Sequence, residues 1–165
     1  MFGHTFLRLD APGQSEDTRL LAYAVNYAAQ ADAKNPFTFA YKGLTGGYPG
    51  VFSLMPYYEK VKEYSDMENR DLWEYQLNLS PDEVRLLLAH LWELRSIEFP
   101  YYFLTRNCSF QLLALLEVAR PGLALRNDFS VQAIPTDTVR RTLAEPGMLR
   151  ELTYRPAAER QLLMA

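Results

Sequence analysis

The stretch from Cys108 to Arg120, Cys-Ser-Phe-Gln-Leu-Leu-Ala-Leu-Leu-Glu-Val-Ala-Arg, constrains the fold more than any other part of the chain. Asn107 is a good helix cap at its start, and Pro121-Gly122 is a helix stop at its end. Its apolar run, Phe110 to Ala119, is broken only by Gln111 and Glu117. A helix that is apolar nearly all round has no face to offer water, so it must be the central, most buried helix of the fold. The run is also too short to cross a bilayer. The expectation is a soluble chain built around this helix.

A chain of 165 residues fits a single domain over 1–165, since chains of this size bury roughly 68–70% of their unfolded surface. Apolar residues make up 48% and aromatics 13%, which excludes global disorder. The net charge is −3, and Arg and Lys form no dense basic stretch, so a nucleic-acid partner is not expected. One cysteine cannot form an internal disulfide, which leaves the redox compartment open. No charged segment followed by an apolar one opens the chain. That start fits either a cytoplasmic protein or a chain without its targeting segment.

Around the central helix the pattern reads as α+β. Thr5–Asp10 and Arg19–Ala28 read as an antiparallel strand pair separated by a turn over Ala11–Asp17. After a polar break at Asp32–Pro36, Phe37–Tyr41 reads as an aromatic strand. Lys42–Gly50 reads as a flexible glycine-rich loop leading to a strand at Val51–Met55. The loop lacks the Gly-Lys-Ser/Thr ending of a phosphate cradle. Tyr57–Asn69 is open between a short helix and a charged edge strand, and Leu72–Leu79 alternates as a strand. Ser80, Pro81 and Glu83 spell a capping box at the start of a helix that carries Val84, Leu87, Leu88, Leu91 and Leu94. A last helix is expected over about Asp137–Ala144, with a polar tail from Arg150.

Two residues carry chemistry. Cys108 sits at a helix N-terminus, where unpaired N–H groups and the helix dipole favour a thiolate. A free cysteine is by default a small buried hydrophobe. Here the cysteine opens a rigid element, as positioning for catalysis requires. His4 supplies a side chain able to take and return a proton near neutral pH. His90 falls off the apolar face of its helix, between Glu83 and Glu93, and reads as a surface residue. Asn26 is the first candidate to orient the His4 ring, with a polar outward position as its ordinary alternative. The Cys108 backbone N–H is the economical oxyanion donor, and Tyr101, Tyr102 and Asn107 are the candidate substrate contacts. One cysteine and two distant histidines give no metal-ligand spacing, so neither metal nor cofactor is expected.

Gly3-His4-Thr5-Phe6-Leu7, Tyr41-Lys42-Gly43 with Gly46-Gly47, Arg70-Asp71-Leu72-Trp73-Glu74-Tyr75 and Tyr102-Phe103-Leu104-Thr105-Arg106-Asn107-Cys108-Ser109 together resemble a bacterial extracytoplasmic family. It is the family of the Lnb N-terminal periplasmic domain, named for a lipoprotein N-acyltransferase, and the resemblance runs from Phe2 to about Pro121. Histidine before cysteine, with Asn-Cys opening a helix, is similar to the circularly permuted branch of the NlpC-type papain-like superfamily. The resemblance implies an antiparallel sheet packed on the helix that begins at Cys108, with Cys108 as nucleophile and His4 as base. It also implies acyl chemistry through a thioester, in the namesake moving a fatty acyl chain to a lipoprotein's N-terminal amine. A periplasmic or other envelope location and an acylated or lipid-linked partner, such as a lipoprotein at a membrane surface, follow from the same resemblance.

The leading expectation is therefore a thiol acyltransferase or acyl hydrolase of the bacterial envelope. The abundance of Tyr and Phe fits an apolar acyl groove, and fits core packing equally well. Its rivals are a papain-like cell-wall peptidase or amidase, and a non-catalytic binding domain in which Cys108 is inert.

Overall fold

In the computed structural model, which describes residues 4–32, 35–63 and 71–156, strands and helices mix along the chain. Their order is β1 (Leu7–Leu9), a 3-10 turn (Glu16–Leu21), β2 (Tyr23–Ala29), α1 (Pro36–Thr45), β3 (Tyr48–Pro56), α2 (Tyr57–Val61) and β4 (Leu72–Leu77). Then come α3 (Pro81–Leu94), β5 (Phe99–Tyr101), α4 (Cys108–Ala119), a 3-10 turn (Arg126–Asp128), α5 (Pro135–Leu143) and β6 (Leu149–Arg155). The α+β expectation holds. One sheet has the order β1-β2-β3-β5, the other is the pair β4-β6, and both β3–β5 and β4–β6 are antiparallel.

Four local expectations need correction. The aromatic segment Phe37–Tyr41 is helical: Asn35 caps α1 by accepting from the Phe37 N–H at 2.9 Å, Pro36 follows, and Gly46 closes the helix at φ 75°. A capped start and a left-handed stop outweigh the β-propensity of aromatics. The expected loop Lys42–Gly50 is accordingly the last turn of α1, its cap and the start of β3. The expected strand over Arg19–Ala28 begins only at Tyr23. Before it, the Ser15 N–H donates to Thr18 Oγ1 at 3.2 Å and closes a 3-10 turn locally. The expected polar tail is β6, which pairs with β4 from Leu72↔Arg155 to Leu77↔Leu149. The second half of the stretch Tyr57–Asn69, left open between helix and strand, and the end of the tail lie outside the described residues; Tyr57–Val61 itself is α2.

The chain divides into two compact units. The first comprises Met1–Leu7, Asn26–Ser53 and Leu79–Ala144. Its centre is α4, which buries Cys108, Ser109, Leu112, Leu113, Leu115, Leu116 and Ala119 and packs against α3 and α5. On α3, Leu87 and Leu91 form the buried face, while Leu88 is exposed. The expected capping box is present: the Glu83 carboxylate accepts from the Ser80 N–H at 2.7 Å, and the Glu83 N–H donates to Ser80 Oγ at 3.2 Å. Arg120, at the end of α4, adds a two-pronged bond to the same carboxylate at 2.5 and 2.9 Å.

Arg120 and then the Ser80 N–H hold the Glu83 carboxyl at about 2, below its ordinary 4.5. A carboxyl lowered on folding stabilises the fold in full above its unfolded value, and that contribution fades as pH falls through 4.5 toward 2. Glu83→Ala is expected to cost about 1–2 kcal/mol at pH 7, the sum of a cap and a forked surface ion pair. Urea midpoints at pH 7 and pH 3 check this. The difference between wild type and variant should shrink at pH 3, and an equal difference at both would show that the charge contributes nothing.

The second unit comprises Arg8–Val25, Leu54–Asn78 and Glu145–Ala165. Glu74 of β4 is its polar centre, with Arg8 Nη1 at 2.9 Å and Arg155 Nε at 2.8 Å, and it accepts from the Tyr57 hydroxyl. Arg155 also pairs with Glu16, and the Arg8 guanidinium lies 5.3 Å from the centre of the Tyr57 ring. Burial pushes the Glu74 carboxyl up, but the hydrogen bonds from Arg155 and Tyr57 and the charges of Arg8 and Arg155 outweigh it and hold it low. A half-buried carboxylate is tolerated here because every side of it meets a donor or a cation.

Candidate functional site

Cys108 is the first residue of α4, and the loop before it is tied down by Asn107. The Asn107 Oδ1 accepts from the Phe110 N–H at 3.3 Å and from Ser109 Oγ at 2.9 Å. Its Nδ2 donates to the carbonyls of Phe103 at 3.1 Å and Ala133 at 2.7 Å. Both ends of this buried amide are thus spent inside the protein, which makes Asn107 the brace of the cysteine.

Cys108 is buried, 4% exposed. Burial alone pushes such a group up, because the charged form loses its water. Against it stand a hydrogen bond and the charge of His4, a hydrogen bond from the Thr5 backbone N–H, and one from the Tyr101 hydroxyl. Together they hold the Cys108 thiol below its ordinary value. His4 is fixed in turn: its Nε2 lies 2.6 Å from Asn26 Oδ1, on the buried part of β2. With Asn26 accepting from Nε2–H, the tautomer carries its lone pair on Nδ1. Cys108, His4 and Asn26, selected from the sequence, come together in the structure.

Tyr101 meets the cysteine twice. Its oxygen accepts from the Cys108 backbone N–H at 3.2 Å, and its hydroxyl bonds the Cys108 side chain. The backbone N–H expected to stand open for an oxyanion is therefore occupied by a tyrosine hydroxyl. Burial first, then the charge of Cys108, pushes that hydroxyl above the ordinary tyrosine range, so it remains a proton donor. Tyr101 is held from behind by Tyr27, stacked at 5.4 Å between ring centres. Both rings close on Gly50, where an added Cβ would stand 2.2 Å from Tyr27 Oη and 3.0 Å from Tyr101 Cδ2.

Tyr102 points elsewhere. Its ring covers Gly46, where an added Cβ would lie 2.4 Å from Cζ, and the Arg106 guanidinium stands 5.9 Å from the ring centre. Phe103 packs in the same way on Gly43, and its N–H donates to the Gly43 carbonyl at 2.8 Å. The glycines of α1 are thus docking points for the aromatic run before Cys108. The Thr5 N–H is a contact that sequence reading missed. Its only sequence signal is its place beside His4, because the partner lies far along the chain.

His90 sits on α3 with its Nδ1 3.3 Å from Glu93 Oε2, remote in role from the cysteine. Among the described residues no group of three or more His, Cys, Asp and Glu gathers as a metal site. No helix among them is long and apolar enough to cross a membrane.

No curated protein and no solved structure matches the chain. A family model does: residues 1–145 match the Lnb N-terminal periplasmic domain. That span holds His4, Asn26, Tyr101 and Cys108 together with all of the first unit. The chain therefore belongs to the family of Lnb N-terminal periplasmic domains, and its place is the periplasm or wider extracytoplasmic space.

Proposed function

We propose that this domain is a thiol-dependent acyltransferase or acyl hydrolase, working on acylated or lipid-linked substrates through a thioester on Cys108. One observation carries the reading: a cysteine at a helix start receives His4, the Thr5 N–H and the Tyr101 hydroxyl, while Asn26 holds the histidine from behind. These are the parts that a nucleophile, its base and the base's orienting group require. Histidine ahead of cysteine agrees with a permuted papain-like arrangement.

In the reaction His4 takes the Cys108 proton and the thiolate attacks the acyl carbonyl carbon. The carbonyl π electrons move to oxygen, and the oxyanion takes a hydrogen bond from the Tyr101 hydroxyl, which burial keeps protonated. The oxyanion collapses, the leaving alcohol or amine departs with the proton from His4, and the acyl group remains on sulfur. An incoming amine or water then gives a proton to His4 and attacks the thioester carbon. Sulfur leaves as thiolate, and the proton returns to it from His4.

The test is acyl capture. The domain is incubated with a diacylated lipopeptide and its intact mass is measured after an acid quench. An added acyl mass on Cys108, released by hydroxylamine and lacking in Cys108→Ala, is the expected result. The rival non-catalytic reading draws on one observation, the near-complete burial of the thiol. An unmodified Cys108 after incubation with the lipopeptide and with simple acyl esters would favour it. Release of peptide from cell-wall fragments without acyl capture would favour the peptidase.

A further inference from the structure

Gly43 lies near the end of α1, in ordinary helical backbone, where alanine would be the better helix former. It is also the buried residue of that helix. An added Cβ would fall inside the Phe103 ring, against its Cδ2, Cε2 and Cζ. The ring has little room to withdraw, since Phe39, Tyr101 and Tyr48 stand 5.0, 6.0 and 6.4 Å from it between ring centres. The Phe103 backbone is held as well. The Lys42 carbonyl takes the N–H groups of both Gly46 and Gly47, which leaves the Gly43 carbonyl over at the helix end. The Phe103 N–H donates to that carbonyl at 2.8 Å.

Two short routes lead from Phe103 to the cysteine. Its carbonyl accepts from Asn107 Nδ2 at 3.1 Å, and Asn107 Oδ1 accepts from the Phe110 N–H at 3.3 Å, capping the helix that Cys108 opens. Its ring meets the Tyr101 ring edge-on, and the Tyr101 oxygen accepts from the Cys108 N–H at 3.2 Å. The amide that braces Cys108 and the hydroxyl that touches it thus both take their place from one residue seated on Gly43.

We propose that Gly43 and Phe103 are positioning residues for the Cys108 nucleophile. The glycine forgoes helix propensity so that the ring can seat, and the seated ring fixes Asn107 and Tyr101 around the thiol. The catalytic role of that thiol rests on the acyl reading above. Displacing Phe103 pulls its carbonyl from Asn107 and its ring from Tyr101, which loosens the donors that hold the thiol low and leaves its burial in place. A glycine needed only for packing would change stability when substituted and leave the thiol's titration where it was.

The test is the pH profile of Cys108 alkylation by iodoacetamide in the whole chain, for wild type, Gly43→Ala, Phe103→Val and the two changes together. Phe103→Val removes the three ring atoms that the new methyl would meet and keeps the backbone bonds. Gly43→Ala is expected to move the profile to higher pH and to slow acyl capture by up to about 100-fold, the scale of a small misplacement near a reacting atom. Phe103→Val should move the profile the same way by less, and adding Gly43→Ala to it should move the profile no further. Coincident profiles in wild type and Gly43→Ala overturn the proposal. An equal shift from Gly43→Ala on both backgrounds also overturns it, because the effect then does not pass through the ring. So does an unchanged profile in Phe103→Val, the variant that decides alone where Gly43→Ala does not fold. Profiles that move in a protein whose wild type captures no acyl group support the positioning and remove the acyl reading. Acyl capture by wild type, with profiles that the variants leave in place, removes the positioning alone.

Discussion

His4→Ala is expected to lower acyl transfer through Cys108 by about 100- to 10,000-fold, the range for loss of a positioned general base. The same change should move the pH profile of Cys108 alkylation by iodoacetamide to higher pH. The direction follows from the opposed effects on the thiol: burial pushes it up, and the hydrogen bond and charge of His4 head the effects that bring it down. Removing the ring leaves burial in place, so the thiolate is lost first at the low-pH end of the profile. Below the thiol's titration each unit of upward shift removes tenfold of the thiolate. Part of that is returned because a more basic thiolate is the better nucleophile. Asn26→Ala should move the profile the same way by less, since it frees the ring to turn without removing it. Profiles that coincide in wild type and His4→Ala would leave Cys108 without a base, and the acyl reading would fail with it.

Gly50→Ala is expected to destabilise the protein by about 2–3 kcal/mol, at the upper end of overpacking costs. The added methyl would stand 2.2 Å from Tyr27 Oη and 2.5 Å from its Cζ. Tyr27 is fully buried, tilted against Phe52 at 4.8 Å and stacked on Tyr101 at 5.4 Å, so it has nowhere to retreat. The strain passes to Tyr101, whose Cδ2 is 3.0 Å from the same methyl and whose hydroxyl bonds Cys108. A lower urea midpoint should therefore come with an alkylation profile moved to higher pH. A stability loss with an unchanged profile would mean that Tyr101 keeps its place and the two rings are not coupled. No loss at all would mean that β3 shifts away from Tyr27 at little cost.

The local parts of this protein were legible. Ser80 and Glu83 close a capping box within one helical turn, and the Asn107 side chain caps α4 by accepting from the Phe110 N–H. An apolar run with no polar face can only be buried, and α4 is. Where two local signals competed, the reading went wrong at Phe37–Tyr41, because the rings favour a strand and the Asn35-Pro36 start favours a helix. In the sequence β6 reads as a tail because its own residues are mostly polar. What makes it a strand is pairing with β4, a partner a whole chain segment away.

The candidate site divides along the same line. Cys108 and His4 are legible from residue type and place in the chain, and Asn26 from the strand expected beside His4. The 2.6 Å contact from His4 to Asn26, the Thr5 N–H on the thiol and the double contact of Tyr101 come from strand pairing and from glycines that let rings approach. By itself the sequence determined the caps of α3 and α4 and the burial of α4, because each rests on groups within a turn or two of one another. Only the tertiary structure decided which strand pairs with which and which donors meet the thiol. Those contacts join residues far apart in the chain, and they form only where burial of a shared core outweighs the entropy of closing the loops between them.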